Sequence, residues 1–410
     1  MIKRIYSKLT NILIIIKNFN KIILFFTTCS KKNNILCIEN ERIGHFPVNI
    51  FLSSKIYKNK NIFFFKKNFN IPNDYIIKKI KENYNVDQKY EQVFQIMKNL
   101  NELTSGYFKF NFLIEQMHMT EKHNFANCFD NNSKIFEFTE KENQIGADFL
   151  VKNNINQNKF VCIIYRTSEY YNKIGLNKVE NLHAYRNTNP KTLLPSIEYL
   201  LGKGYSVIRL GKYINEPYPL IHKNFFDYAV SEQNSDFLDI WLSANCNFFI
   251  NGGTGLGDIP TLFGVPRLSF SVFPMGAQQS WSPNTLLLPC NAKKNDKYLN
   301  LKEMIKYDLV RVINAEFYKK KGVEIVRNSS DEVLKAVQVL EENYKNPLEL
   351  NSLTQTFWNN LRYEWNAELS KPDNQMHVKK NFDSFHKING IKASIPDFFL
   401  NKYSNLYLDY

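Results

Sequence analysis

The chain has 410 residues, 44% of them hydrophobic and 15% aromatic, enough to bury two substantial cores, which excludes a chain disordered over most of its length. Its formal net charge of +14 points to an anionic partner, a nucleotide, a nucleic acid or an acidic membrane surface, although abundant Lys, Asn, Ile, Phe and Tyr are equally the mark of an AT-rich coding sequence. Cys29, Cys37, Cys128, Cys162, Cys246 and Cys290 are scattered, with no Cys-x-x-Cys pair and no histidine at zinc spacing, so a reducing cytosol fits and structural zinc does not.

Residues 1–30 set Lys3, Arg4, Lys8, Lys17 and Lys21 around the apolar runs Ile12–Ile16 and Ile22–Phe26. An uncharged apolar stretch long enough to span a bilayer is missing, and no Ala-x-Ala cleavage site follows. The segment reads either as a basic apolar helix on an anionic cytoplasmic leaflet or as a helix packed on its own domain. Asn34–Ile38 then reads as a strand running into Arg42-Ile43-Gly44-His45-Phe46-Pro47, Asn61–Phe65 as a second strand, and Tyr75–Leu103 mostly as helix. This is an α/β half, assigned to residues 31–155.

A second α/β unit is expected over 156–345. Phe160–Tyr165 is a continuous apolar run of the kind buried in a parallel sheet, ending on Arg166. Pro190–Leu201 reads as a helix stopped by Gly202 and Gly204, Tyr205–Leu210 as a strand, Ser235–Ala244 as a helix and Asn247–Ile250 as a strand. Such alternation implies right-handed crossovers and a parallel sheet whose ligand site lies at the carboxyl ends of its strands. There the sequence places Arg166, the loop His183-Ala-Tyr-Arg186-Asn187, Arg209, Gly211 and Lys212. Guanidinium forks pair bidentately with phosphate oxygens, so three arginines on one edge suit a pyrophosphate, whereas each alone suits an ion pair.

The strand Asn247–Ile250 runs into Asn251-Gly252-Gly253-Thr254-Gly255-Leu256-Gly257-Asp258-Ile259-Pro260. Strand, small-residue turn and helix start form a phosphate-binding design, because the first N–H groups of a helix lack partners and glycine lets the backbone approach the ligand. The spacing is that of neither a P-loop nor a first Rossmann turn. A tight structural turn is the alternative.

These residues resemble the bacterial glycosyltransferases of surface-carbohydrate clusters (polysaccharide and O-antigen biosynthesis), through Arg166, His183–Asn187, Gly204–Gly211, Asp227-Tyr-Ala229, Asp236–Asp239 and Gly253–Leu256, with Arg42–His45 and Asn328–Glu332 extending the match. The chain departs from that pattern at Thr167, where the family tends to carry Asp, and at Thr254, where it tends to carry Ser. The resemblance implies a GT-B-like α/β fold of two facing Rossmann-like domains with a C-terminal helical tail, residues 346–410, packing back on the N-terminal domain. It implies a nucleotide-sugar on the second domain and a glycan or lipid-linked acceptor on the first. Arg166, His183, Arg186, Asn187, Arg209, Gly211, Gly252, Gly253, Thr254, Gly255 and Leu256 would then hold the donor phosphates, without a metal or other cofactor. Asp227 and Asp239 would hold sugar or ribose hydroxyls unless they cap helices. Arg42 and Gly44 would lie on the acceptor side, and His45 would be the base. The expected setting is cytoplasmic, peripheral on the inner face of the membrane. A sugar-nucleotide epimerase or isomerase on the same scaffold is the alternative. A nucleic-acid partner is not expected, since no recognised module and no clustered Lys/Arg stripe is present.

Overall fold

The computed structural model describes residues 12–13, 15–20, 23, 33–38, 42–57, 60–65, 72–91, 94, 96, 112–113, 128–129, 134–277, 280, 282–310, 312–346, 348, 350–371 and 393–409. They fall into two compact units, Met1–His118 and Met119–Tyr410.

In the first unit, helical residues occur within 12–23. The strands β1 (Asn33–Ile38), β2 (Lys60–Phe65) and β3 (Phe112–Leu113) make a parallel sheet in the order β2-β1-β3, with Leu36 beside Phe63. Two helices accompany it: α1 (Phe46–Ile56), buried over Phe46–Ser53, and α2 (Asp74–Asn83), whose first turn is closed by the Asn73 side chain accepting from the N–H of Ile76. A parallel β1–β2 pair needs a crossover, and α1 is that crossover. Of the helix expected over Tyr75–Leu103, α2 is the well-described part, and much of 92–103 lies outside the described residues.

The second unit begins earlier in the chain than the expected boundary at 155. Its first helix, α3 (Glu140–Lys152), starts on a capping box of Thr139 and Glu142. Gly146 of α3 lies so close to Trp241 that a Cβ would come within 2.1 Å of the indole, and Trp241 Nε1 donates to Asn143 at 3.1 Å. This packing joins α3 to α7 within the second unit. Then follow β4 (Phe160–Tyr165), α4 (Glu169–Lys173), α5 (Asn177–His183), α6 (Leu194–Gly202), β5 (Ser206–Arg209), β6 (Phe225–Phe226), α7 (Asp236–Asn245), β7 (Phe249–Gly252), β8 (Arg267–Val272) and β9 (Thr285–Pro289). All six strands are parallel, in the order β6-β5-β4-β7-β8-β9. In register, Cys162 of β4 lies between Ile208 and Phe249. The chain lays strands outward to one side of β4, returns, and lays three more on the other side. That is a doubly wound sheet with its switch point between β4 and β7.

A small antiparallel sheet of β10 (Asn291–Lys294), β11 (Lys297–Tyr298) and β12 (Val323–Val326) follows, with α8 (Leu301–Lys306), α9 (Ala315–Lys320), α10 (Ser330–Asn343), α11 (Ser352–Leu369), α12 (Asp397–Lys402) and α13 (Ser404–Tyr407). The Asn328–Glu332 motif is structural: Ser329 and Glu332 box the start of α10, while Asn328 accepts from the N–H of Ser271 and donates to the Pro289 carbonyl.

The described residues of 346–410 belong to the second unit. Phe357, Trp358, Leu361 and Trp365 of α11, with Phe399 and Tyr407, belong to the core of the second unit itself. Ser394 bridges to Leu286 of β9, and the Tyr407 hydroxyl donates to Asn291 at 2.6 Å. Large aromatics at helical spacing close the exposed end of the sheet there.

Candidate active site

The switch point is where the carboxyl ends of two central strands diverge, and in doubly wound sheets the crevice outside it receives ligands. Here β4 ends on Tyr165–Arg166 and β7 on Gly252–Gly253, joined by Arg166 N–H donating to the Gly252 carbonyl at 3.3 Å. Gly252 is required by packing, because a Cβ would meet Phe270 at 2.7 Å and Tyr165 Cβ at 3.0 Å. Gly253 is required by conformation, its φ of +78° being costly for any other residue.

Arg186 closes the 3₁₀ turn Ala184–Arg186 after α5 and reaches across to the Gly253 carbonyl, Nη2 to O 2.7 Å. Arg166, 7% exposed, binds Glu180 of α5 through Nη2 at 2.5 Å and stacks over the Tyr171 ring. Asn187 donates to the other Glu180 oxygen at 2.7 Å, so one carboxylate holds both groups. Burial pulls the Arg166 pKa down, the Glu180 charge opposes that, and Arg186 adds to it, so the two guanidiniums feel each other's charge. The Arg166 Nε and the Asn187 Oδ1 are buried without a hydrogen-bond partner.

The glycine run departs from the expected strand-turn-helix. In place of an α-helix it makes two 3₁₀ turns, Leu256–Asp258 and Pro260–Phe263, ending on Gly264 in the left-handed region. Pro260 has no N–H to continue a helix, and Arg267 takes the Gly257 carbonyl at 2.7 Å, an acceptor that a helix would have used. The helix-start argument for anion binding therefore lapses, and guanidinium charge replaces it. The loop is shaped by Asn251, whose Oδ1 accepts from the N–H of Thr254 at 2.9 Å and from its hydroxyl at 3.1 Å, while the Thr254 Oγ1 accepts from the N–H of Gly257 at 3.3 Å. Gly255 is exposed, and the Leu256 side chain is buried as core.

A Cβ on Gly257 would fall 2.1 Å from Asn251 Cγ, so Gly257→Ala is expected to displace this side chain and cost about 1–3 kcal/mol. Thermal denaturation checks it, and an unshifted melting temperature would show that the loop yields without strain.

Arg186, Asn251, Gly253, Thr254, Asp258 and Arg267 line a cavity of about 40 Å³ with room for roughly three waters, or for a phosphate-sized group rather than a whole nucleotide. Arg267, 2% exposed, is paired with Asp258 at 2.6 Å. Two guanidiniums, Arg186 and Arg267, stand against the one carboxylate of Asp258 in the lining.

The remaining sequence candidates sit elsewhere. Arg209, 2% exposed, spends its fork within the protein: Nε on Asp227 at 2.6 Å, Nη1 on the Tyr165 hydroxyl at 2.8 Å and Nη2 on the Glu216 carbonyl at 2.9 Å. The second Asp227 oxygen accepts from the N–H of Tyr218 at 2.7 Å. Arg209 and Asp227 thus brace the end of β5 with bonds made within the protein. At Gly211 a Cβ would meet Ile214 and Ala229, which is protein packing. Asp239 lies in α7, 9% exposed and hydrogen-bonded to Tyr228, with Lys212 and Asp236 nearby; burial pushes its carboxyl up to about 7. His183 ends α5 and is half-buried.

In the first unit, Arg42 is exposed, Gly44 buried and His45 half-buried at the N-cap of α1, in the turn after β1. Glu180, Asn251, Asp258 and Arg267 are functional candidates that sequence patterns alone did not single out. Arg267 carries the one available signal, a charge opening the alternating run Leu268-Ser-Phe-Ser-Val272, where burial demands a partner.

Fold and site together define the second unit as a doubly wound α/β unit with a small cavity beside β7 and β8 that Arg186 and Arg267 line. No family model and no curated protein matches the chain. Among solved structures it is similar to the glycosyl transferase family 9 protein of Veillonella parvula, with 10% identity and a TM-score of 0.44 over 77% of this chain and 99% of that one. It is also similar to the E. coli ADP-heptose LPS heptosyltransferase II, with 10% identity and a TM-score of 0.41 over 76% of this chain and 100% of that one.

Proposed function

We propose that the chain is a glycosyltransferase that takes a nucleotide-sugar donor on its second unit and passes the sugar to a hydroxyl of a glycan or lipid-linked acceptor. The observation that carries this reading is Arg186 docked on the Gly253 carbonyl beside the buried Arg166, at the switch point of a doubly wound sheet. In such a transfer the acceptor oxygen bonds to the anomeric carbon, the bond from that carbon to the β-phosphate oxygen breaks, and the electron pair leaves with the nucleoside diphosphate. Negative charge grows on the β-phosphate, and preformed donors aimed there lower the barrier. Arg186 and Arg166 are suited to that task in a reaction that needs no metal. The cavity takes phosphate oxygens and leaves sugar and base outside it.

The acceptor proton needs a base, and His45 is the proposed one, because imidazole is the side chain most often used for this proton transfer. His45→Ala is expected to lower turnover about a hundredfold while the donor dissociation constant stays unchanged. Full activity in the variant would return His45 to a structural part.

The test of the whole reading is a thermal-shift screen of the purified chain against nucleoside diphosphates and their sugar conjugates, with and without magnesium. A ligand that binds the folded state raises the melting temperature by mass action. A metal-independent rise with one nucleoside diphosphate and its conjugates is the expected result. A flat screen would sink the reading, and a sugar-nucleotide isomerised with no acceptor present would replace transfer by epimerisation.

A further inference from the structure

In the second unit, Arg166, Arg209 and Arg267 each spend their charge on a carboxylate, Glu180, Asp227 and Asp258 respectively. Arg186 and Arg327 do not. Each donates to a backbone carbonyl, Arg186 Nη2 to Gly253 at 2.7 Å and Arg327 Nη2 to Ala184 at 3.4 Å, and neither forms an ion pair among the described residues. The two belong to one place. Ala184 opens the 3₁₀ turn that Arg186 closes, so the Arg327 side chain is fastened to the turn that carries Arg186. The next residue, Asn328, is buried and accepts from the N–H of Ser271 at 2.8 Å, and Ser271 lines the cavity together with Arg186. Arg327, which follows β12, is thus held beside the cavity by its own side chain and through Asn328, and it is exposed.

A guanidinium has several N–H donors and no acceptor, and its planar fork pairs bidentately with phosphate oxygens. Arg186 and Arg327 each place one hydrogen bond on a protein carbonyl, which leaves most of both forks for an anion. The cavity of about 40 Å³ has room for one phosphate-sized group. A diphosphate has two, so its second phosphate stays outside, where an exposed cation beside the cavity meets it. We propose that Arg327 is a further ligand of a diphosphate, binding the phosphate outside the cavity while Arg186 binds the one within it. This division separates a diphosphate from a single phosphate, which engages the cavity alone. Reading the diphosphate as that of a nucleotide-sugar donor rests on the transferase proposal, whereas the placement of the two unpaired guanidiniums does not.

The test is titration calorimetry of the full chain and of Arg327→Ala with inorganic pyrophosphate and with inorganic phosphate, probes that carry neither sugar nor base. Wild type is expected to bind pyrophosphate about tenfold more tightly than phosphate, the contribution of one charge-assisted contact. Arg327→Ala should lose that factor of about ten on pyrophosphate and keep its affinity for phosphate. Its melting temperature should not move, since the side chain is exposed and its loss strands no buried charge. Equal pyrophosphate affinity in wild type and variant would overturn the proposal, as would a wild type that does not prefer pyrophosphate. An equal loss of both probes would also overturn it, because Arg327 would then serve only to pin the turn that carries Arg186. The transferase reading fails separately: the expected pyrophosphate pattern in a chain that no nucleoside diphosphate stabilises would uphold the two-phosphate site and remove the donor assigned to it.

Discussion

Arg186→Ala should weaken binding of a nucleoside diphosphate about 10- to 100-fold and leave the melting temperature nearly unchanged, while Arg209→Ala should do the reverse. Arg186 is half-buried, and its one hydrogen bond within the protein goes to a backbone carbonyl, so its loss strands no buried charge. A charge-assisted bond to phosphate contributes about 1.5–3 kcal/mol, which sets the fold-change. Arg209 is different, since it is almost fully buried and removing it leaves Asp227, the Tyr165 hydroxyl and the Glu216 carbonyl without their common donor. Removing one partner of a buried pair costs about 3–5 kcal/mol, a fall in melting temperature on the order of 10 °C. Arg209→Lys should recover little, because an ammonium cannot span three acceptors placed around a planar fork. Calorimetry for ligand binding and thermal denaturation for stability separate the two arginines. An Arg209→Ala protein with native stability and no affinity would put that residue back among the phosphate ligands, and an Arg186→Ala protein with native affinity would empty the proposed clamp.

The two arginines show what the sequence can and cannot state. Both stand at strand or loop ends on the same edge, and alternating apolar runs with glycine stops were enough to locate that edge. The runs at Phe160–Tyr165 and Tyr205–Leu210 emerged as β4 and β5 with small changes at the ends. Which arginines are paired depends on carboxylates distant in sequence, Glu180 of α5 for Arg166 and Asp227 for Arg209, 14 and 18 positions away, with no spacing that marks them as partners. The glycine run misled in one respect. Its composition is that of a phosphate loop entering a helix, yet Pro260 and the buried Arg267 turn it into 3₁₀ turns held by Asn251 and Thr254. The C-terminal aromatics were legible as core, but the sequence carries no mark of whose core they fill. The strands β8 and β9 went unread because serines alternate with the apolar residues of β8 and β9 is only five residues long.

Asp239→Asn should stabilise the protein at neutral and alkaline pH and flatten its pH dependence. The wild-type carboxyl is buried in α7 and held up to about 7 by desolvation, against the help of Tyr228 and Lys212 and with Asp236 adding to the rise. In the unfolded chain it titrates near about 3.9. Between these values the folded protein binds a proton that the unfolded chain has lost, so stability falls as pH rises through this window and levels off above it. Across that window, a slope of about 1.4 kcal/mol for each unit of pH sets an upper bound of about 4 kcal/mol on the loss. Asparagine keeps the shape and a hydrogen-bond partner for Tyr228 and carries no charge to desolvate. Denaturant unfolding of both proteins from acid to mildly alkaline pH should therefore give curves that nearly meet at low pH and separate toward neutrality, with the variant above. Curves that run parallel would mean that Asp239 stays ionised throughout and is solvated in a way its burial does not suggest. A variant that matches the wild type at low pH but is less stable near neutrality would mean that the carboxylate is needed as the partner of Lys212, which would join α7 to the end of β5 by charge.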